Sequence, residues 1–426
     1  MSTRLRPLIL IAGFLLASGA HAQAVLTFEL GYSNPGARSL GFGGAFVALA
    51  DDATAAYANP AGLVQLTRPE VSIEGRSWSY TTPYVFGGRA SGAPTGIGID
   101  TMPDLRWAES TADFTGLSFL SYVHPLKKWS LAVYRHQLVK FASAFATNGL
   151  FAEGSTFLDT DRWIDRPGTA DIDVVSWGFA AARRITDSFS LGLTLTYLDV
   201  DLDLQTTAYL PDDDTLEAFF SANSYLPERV AWRTSTQAHD SGEGLALGFL
   251  WRATDSWSIG GFARSDFDVP ARWDGWPGPA ASPENPREWH FTGEWAFPTV
   301  FGLGCAYTSP GGDVTLSFEW DHVTAQFEND PDEAIPSVDE FHLGGEYAFL
   351  RRSPLLALRA GVWLDPDHRI RATAGDDLFR AVLQSGSEEI HYAFGFGAAF
   401  ERLQIDLGAD FSDLRDTISL SVIFSF

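Results

Sequence analysis

The last eleven residues, "DTISLSVIFSF" (416–426), decide the fold. Ile418, Leu420, Val422, Phe424 and Phe426 share one face of an extended chain. Thr417, Ser419, Ser421 and Ser425 share the other, and Ile423 alone breaks the pattern. Side chains of a strand alternate with a period of two. A face of large apolar groups opposed to a face of hydroxyls suits the last strand of a soluble sandwich or a strand of a transmembrane barrel.

The segments upstream favour the barrel. "LQIDLGADF" (403–411), "IHYAFGFGAAF" (390–400) and "VTLSFEW" (314–320) repeat the alternation, with aromatics on one side and Gly, Ser or acids on the other. A soluble core rarely needs so many such strands, whereas a lipid-facing exterior does. Fourteen segments fit, near 69–80, 114–125, 128–145, 171–185, 188–205, 241–253, 256–269, 296–308, 313–326, 338–350, 354–364, 388–400, 402–411 and 416–426. Links after the even-numbered strands are short: "LKK", "TDS", "TDS", "SPGGD", "RRS" and "ER". Most of the others are long, and the last, near Ser412–Arg415, is short. Alternating turns and loops are the pattern of outer-membrane barrels, with the turns in the periplasm. Both chain ends are then expected in the periplasm. Trp129, Phe189 and Trp257 each follow a short turn, where an interfacial aromatic girdle belongs.

Composition agrees. Arg4 and Arg6, an apolar run over 7–20 and Ala20-His21-Ala22 read as a signal peptide over residues 1–22. No later stretch is long and apolar enough for a transmembrane helix. The one cysteine, Cys305, rules out an intramolecular disulfide. A net charge of −25 argues against nucleic acid as a partner. Aromatics reach 14% of the chain.

Between the signal peptide and the first strand lies "GARSLGFGGAFVALADDATAAYANPAGL" (36–63). Asp51 and Asp52 are good helix N-caps. Asn59 precedes Pro60, and a residue before proline avoids the helical region. The segment is too rich in Gly and Ala to form a core alone, so we expect it to plug a wide barrel. It resembles the N-terminal hatch of the outer-membrane long-chain fatty acid and aromatic hydrocarbon transporter family (FadL-like), through Gly43-Gly44-Ala45, Asp51-Asp52 and Asn59-Pro60-Ala61. The hatch motif carries over only to Asn59, Pro60 and Ala61. The same spelling is similar to a related branch of secretion shuttle proteins (PorV-like). The resemblance implies an all-β, 14-stranded antiparallel transmembrane barrel in a Gram-negative type outer membrane. Its expected parts are the signal peptide (1–22), a hatch (23–67) and the barrel (68–426). It further implies passive uptake of a hydrophobic small molecule, in contact with outer-membrane lipid and lipopolysaccharide. The rival reading is a component of a protein secretion or assembly system, whose partner is an exported protein.

No catalytic motif is present: there is no G-x-S-x-G, H-E-x-x-H or P-loop. The chain is therefore read as a non-enzyme, with no cofactor and no metal site. Acidic runs at Asp199/Asp201/Asp203, Asp212–Asp214 and Glu328–Glu333 lack EF-hand spacing and read as a solvated rim. The alternation aims Glu74, Arg76, Arg264, Asp266, Glu319, Asp321, Glu340, His342, Glu346, Arg359, His391, Glu401, Asp406 and Asp410 into the lumen. A carboxylate ligand would need Arg76, Arg264 or Arg359, since arginine binds carboxylates bidentately. The excess of acids favours a neutral apolar ligand instead. Trp273 and Trp276, in the loop reading "ARWDGWPGPAASPENPREW" (271–289), are candidates to line its entry. In "WSLAVYRHQLVKFASAF" (129–145), continuing the outward phase of Trp129, Leu131 and Val133 places Arg135 toward lipid. A kink at Tyr134, Arg135 and His136 would restore the alternation. In the resembled family, a kink in the third strand opens a lateral exit.

Overall fold

The computed structural model describes residues 34–281, 288–325, 333–375 and 377–426. The expected signal peptide, hatch residues 23–33, and Glu328, Asp330 and Asp332 lie outside them. Fourteen antiparallel strands close on themselves. They are β1 (Glu70–Arg89), β2 (Leu105–Leu126), β3 (Trp129–Ala146), β4 (Pro167–Arg184), β5 (Phe189–Tyr209) and β6 (Val230–Arg252). Then come β7 (Trp257–Arg264 continuing as Phe267–Pro277), β8 (Trp289–Phe297 continuing as Val300–Thr308), β9 (Val314–Val323) and β10 (Val338–Phe349). The last are β11 (Leu355–Asp365), β12 (Glu389–Ala399), β13 (Leu403–Phe411) and β14 (Arg415–Ser425). The cylinder closes where Glu70 pairs with Ser425 and Tyr80 with Arg415. The short turns lie at the same end as the start of β1 and the end of β14.

At that lower end the alternation behaves as expected. Leu191, Leu193, Leu195 and Tyr197 of β5 are exposed on the outside, while Ser190 and Thr194 are buried inside. Leu343, Leu358, Phe394, Leu407 and Leu420 continue the outer apolar belt around the barrel. Ile423, the one exception in the last strand, is buried inside.

Several strands run well past the expected limits. β1 continues to Arg89 rather than residue 80, β2 begins at Leu105 rather than 114, and β6 begins at Val230 rather than 241. In β3 to β8 the upper storey has its polarity inverted. Leu198, Val200 and Leu202 are buried, and Asp199 and Asp201 point outward. On β4, Ile172 and Val174 are buried beside the outward Asp171 and Asp173. The switch follows Trp177 and Tyr197, which are cross-strand partners on the outer face. Tyr and Trp favour the boundary between apolar and aqueous phases. The Asp212–Asp214 run stitches its loop together: Asp212 accepts from the backbone of Ser224 at 2.9 Å, and Asp214 pairs with Arg229 at 2.8 Å.

Candidate functional site

The segment before β1 occupies the inside of the lower barrel. It folds as α1 (Ala37–Gly41), α2 (Ala55–Ala58) and a 3-10 turn (Pro60–Gln65). Asn59 is extended, as a residue before proline should be, and caps the 3-10 turn by accepting from the Ala61 amide at 3.2 Å. Its amide nitrogen donates to the Val47 carbonyl at 2.8 Å and to the Phe249 carbonyl of β6 at 2.9 Å. The side chain is wholly buried, so these bonds meet its obligatory polar demand. One residue thus ties the hatch to itself and to the wall.

The wall meets the hatch with glycines. A Cβ at Gly192 (β5) would stand 2.3 Å from the Ala61 nitrogen, and one at Gly248 (β6) 2.2 Å from Asn59 Oδ1. Gly260, Gly344, Gly361 and Gly408 meet hatch backbone in the same way. The inward glycines leave room for a second backbone. The wall also supplies complementary polar groups. Glu319 accepts from the Phe46 and Val47 amides at 2.6 and 2.7 Å, and Glu74 accepts from the Gly36 amide at 2.8 Å. Ser190, Thr194 and Ser258 donate to hatch carbonyls.

The three arginines read as ligand receivers are engaged in this framework. Arg76 pairs with Glu74 at 2.8 Å and donates to the Asn34 carbonyl. Arg359 bridges Glu346 at 2.6 Å and Asp406 at 2.7 Å. Arg264 lies 4.1 Å from the ring centroid of Tyr57 and donates to its carbonyl. Most of the lumenal set points inward as read, but Asp266 and Glu401 are exposed. Asp266 sits where β7 is interrupted, and Glu401 in a turn.

Above the hatch the interior is apolar. Phe141, Phe145, Ile172, Val174, Leu198, Val200, Leu202, Val269, Trp295 and Phe297 belong to one contiguous cluster. Ile335, Ile370 and the helix Asp377–Val382 close it from above through Leu378, Phe379 and Val382. The same cluster reaches Ala53, Ala56, Tyr57 and Leu63 of the hatch. Trp273 packs against it and stacks on Phe291, centroids 5.0 Å apart, whereas Trp276 is exposed. The two tryptophans therefore do not form one pocket.

The β2–β3 ladder covers only the lower barrel. It ends at Phe119–His136, and β2 residues 105–117 are not buried on either face. Tyr134 and His136 are buried inside, and Arg135 keeps its outward phase. The register shift falls between Gln137 and Val139, just beyond the three residues singled out from the sequence. Arg135 spans the end of the ladder by donating to the Leu117 carbonyl at 2.5 Å and to Gln137 at 2.7 Å.

The opposite wall is polar. The indole of Trp363 is stacked by His391 (3.9 Å) and His342 (5.0 Å) and donates to Asp410. Asp365 stands 2.9 Å from His368 and 3.6 Å from His391. Asp321, Glu340 and His342 present donor atoms within 4.8 Å of one another. Sequence spacing gave no sign of this convergence, because the residues come from separate strands. Glu319 reads as facing the lumen, but not as the acceptor of an amide 273 residues away.

A closed fourteen-stranded barrel defines a class of fold, and solved structures share it. A Pseudomonas aeruginosa FadL homologue superposes with a TM-score of 0.65 at 12% identity, covering 94% of this chain and all of that one. The monoaromatic hydrocarbon channel CymD gives 0.55 at 16%, over 93% and 99%. The Ralstonia pickettii toluene transporter TbuX gives 0.55 at 14%, over 93% and 100%. At such identities the common property is the fold. No family model and no curated protein matches the chain.

Proposed function

We propose that this chain is an outer-membrane channel for passive uptake of hydrophobic small molecules, with both termini periplasmic and the hatch as its internal plug. The observation that carries the reading is the single apolar cluster running from the upper loops down to Tyr57 and Leu63 of the hatch. A hydrophobic solute meets a poor solvent in the polar lipopolysaccharide layer. An apolar interior offers it about 25 cal/mol per Å² of buried apolar surface. The end of the β2–β3 ladder leaves a sideways gap beside Arg135, level with the Trp177 boundary. The TbuX and CymD barrels, described as a toluene transporter and a monoaromatic hydrocarbon channel, add weight to this reading.

The ligand is neutral. At the three arginines read from the sequence, a fatty acid carboxylate would have to break the Arg76–Glu74 or Arg359–Asp406 pair, or displace Arg264 from Tyr57. Leaving a buried charge without its partner costs several kcal/mol. The test compares binding of a long-chain fatty acid, its methyl ester and toluene to the purified chain in detergent. The ester and toluene are expected to bind at least as well as the acid. Much tighter binding of the acid, lost in Arg76→Gln, Arg264→Gln or Arg359→Gln, would overturn the neutral-ligand reading. Saturable binding of none of the three, with no uptake into liposomes, would overturn transport itself.

A further inference from the structure

We propose that Asp321, Glu340 and His342 form a binding site for one zinc-type divalent cation in the lumen wall, directly beneath the Gly43 turn of the hatch. Asp321 and Glu340 are directly opposed across the β9–β10 ladder, and Glu319 opposes His342. Two carboxylates facing each other across a ladder repel. Burial sharpens that repulsion, and Asp321 retains only 9% of its exposure. Oδ1 of Asp321 has no hydrogen-bond partner among the described residues, and neither has Nε2 of His342. Both residues, with Glu340, line a cavity of about 60 Å³ between the hatch and the wall.

The histidine is prepared as a ligand. Its Nδ1 lies 2.8 Å from the carbonyl oxygen of Gly43. A carbonyl only accepts, so Nδ1 carries the hydrogen, and a cation would meet the lone pair that Nε2 offers once that nitrogen is unprotonated. Metal-bound histidines commonly have their second nitrogen held in this way. Nε2 stands 3.4 Å from Glu340 Oε2. Two ligands of one tetrahedral zinc, with bonds of about 2.0–2.1 Å, stand roughly 3.3 Å apart. One imidazole and two carboxylates leave room for water as a fourth ligand, and the donor set suits zinc better than calcium or magnesium. The other oxygen of Glu340, Oε1, stands 3.3 Å from His368, which is 2.9 Å from Asp365, so Glu340 joins this site to a second such group. Because the same imidazole holds Gly43, the ion would stiffen the wall on which the hatch turn rests.

The experiment uses the full chain purified in detergent, stripped with a chelator and titrated with zinc chloride in equilibrium dialysis. One tightly held zinc per chain is expected. Loss of a supporting partner alone typically weakens a metal site ~10–100-fold. His342→Gln and Asp321→Asn should therefore each weaken binding at least about tenfold, while Asp187→Asn in a short turn leaves it unchanged. Heat-modifiable gel mobility reports that each variant retains its barrel. Should a variant not fold, X-ray absorption of the zinc-loaded wild type decides: one imidazole and otherwise oxygen ligands support the site. No stoichiometric zinc, zinc without an imidazole ligand, or equal affinity in folded His342→Gln would each overturn it.

Discussion

Along β5 the chain reads Leu191, Leu193, Leu195 and Tyr197 outward, and then, two residues at a time, Asp199, Asp201 and Asp203 on the same face. Its inner face changes the opposite way, from Ser190, Gly192 and Thr194 to Leu198, Val200 and Leu202. The backbone is one uninterrupted strand. The lower storey presents apolar side chains outside and a polar-jacketed hatch inside. The upper storey presents carboxylates outside and apolar side chains inside. The period of a strand is fixed by its geometry, but which face is apolar is set by the two phases it separates.

Four measurements test that contrast, beginning with the largest effect. Leu202→Ala removes a fully buried side chain of the upper interior. It should cost about 2–5 kcal/mol, read by urea unfolding in phospholipid vesicles, and weaken ligand binding. A loss below about 0.5 kcal/mol would mean that the upper interior is not a packed core. Leu193→Arg places a charge on the lower outer face at a cost of about 2–4 kcal/mol. Asp201→Arg, eight residues further on the same face, should change stability by less than about 0.5 kcal/mol. Equal effects would erase the boundary placed at Tyr197.

Asn59→Ala removes the side chain that holds Val47 and Phe249. It should weaken the hatch by about 1–3 kcal/mol and raise leakage in planar bilayers without unfolding the barrel. Unchanged conductance would show that the hatch is held by its glycine contacts instead. The smallest effect belongs to Asp201→Asn, which loses an exposed contact with His239 at 2.9 Å. Less than about 0.5 kcal/mol is expected, and a larger loss would show that the acidic outer face is structural.

The lower storey was legible because its outward positions are large and apolar from strand to strand, with a constant phase. The upper ends of β1, β2 and β6 were not. In "LDVDLDL" (198–204), which lies within the expected fifth strand (188–205), the alternation persists with its sign reversed, and its inward apolar face was not read. The Asn-Pro signal at 59–60 is local and could be read directly, since proline constrains its neighbour. The wall glycines could be read as small residues facing in, but their partners could not. The Asp321–Glu340–His342 convergence depends on register between β9 and β10, which sequence spacing does not encode. Arg76 and Arg359 were recognised as inward cations, and only the folded chain gives their acid partners.

Glu74 sits on the first strand, and its carboxylate, paired with Arg76 on the same strand, also reaches two other elements. One oxygen receives the Gly36 amide at the head of the hatch, and the other receives the hydroxyl of Ser419 on the last strand. Strands β1 and β14 are made at opposite ends of synthesis and meet only when the cylinder shuts. A single side chain therefore registers both that the plug is seated and that the seam is zipped. If docking of the N-terminal segment fixes this carboxylate first, the final strand meets a partner that is already oriented. A chain with Glu74→Gln should reach the same barrel more slowly, with open-seam intermediates accumulating in pulse-labelled folding into vesicles.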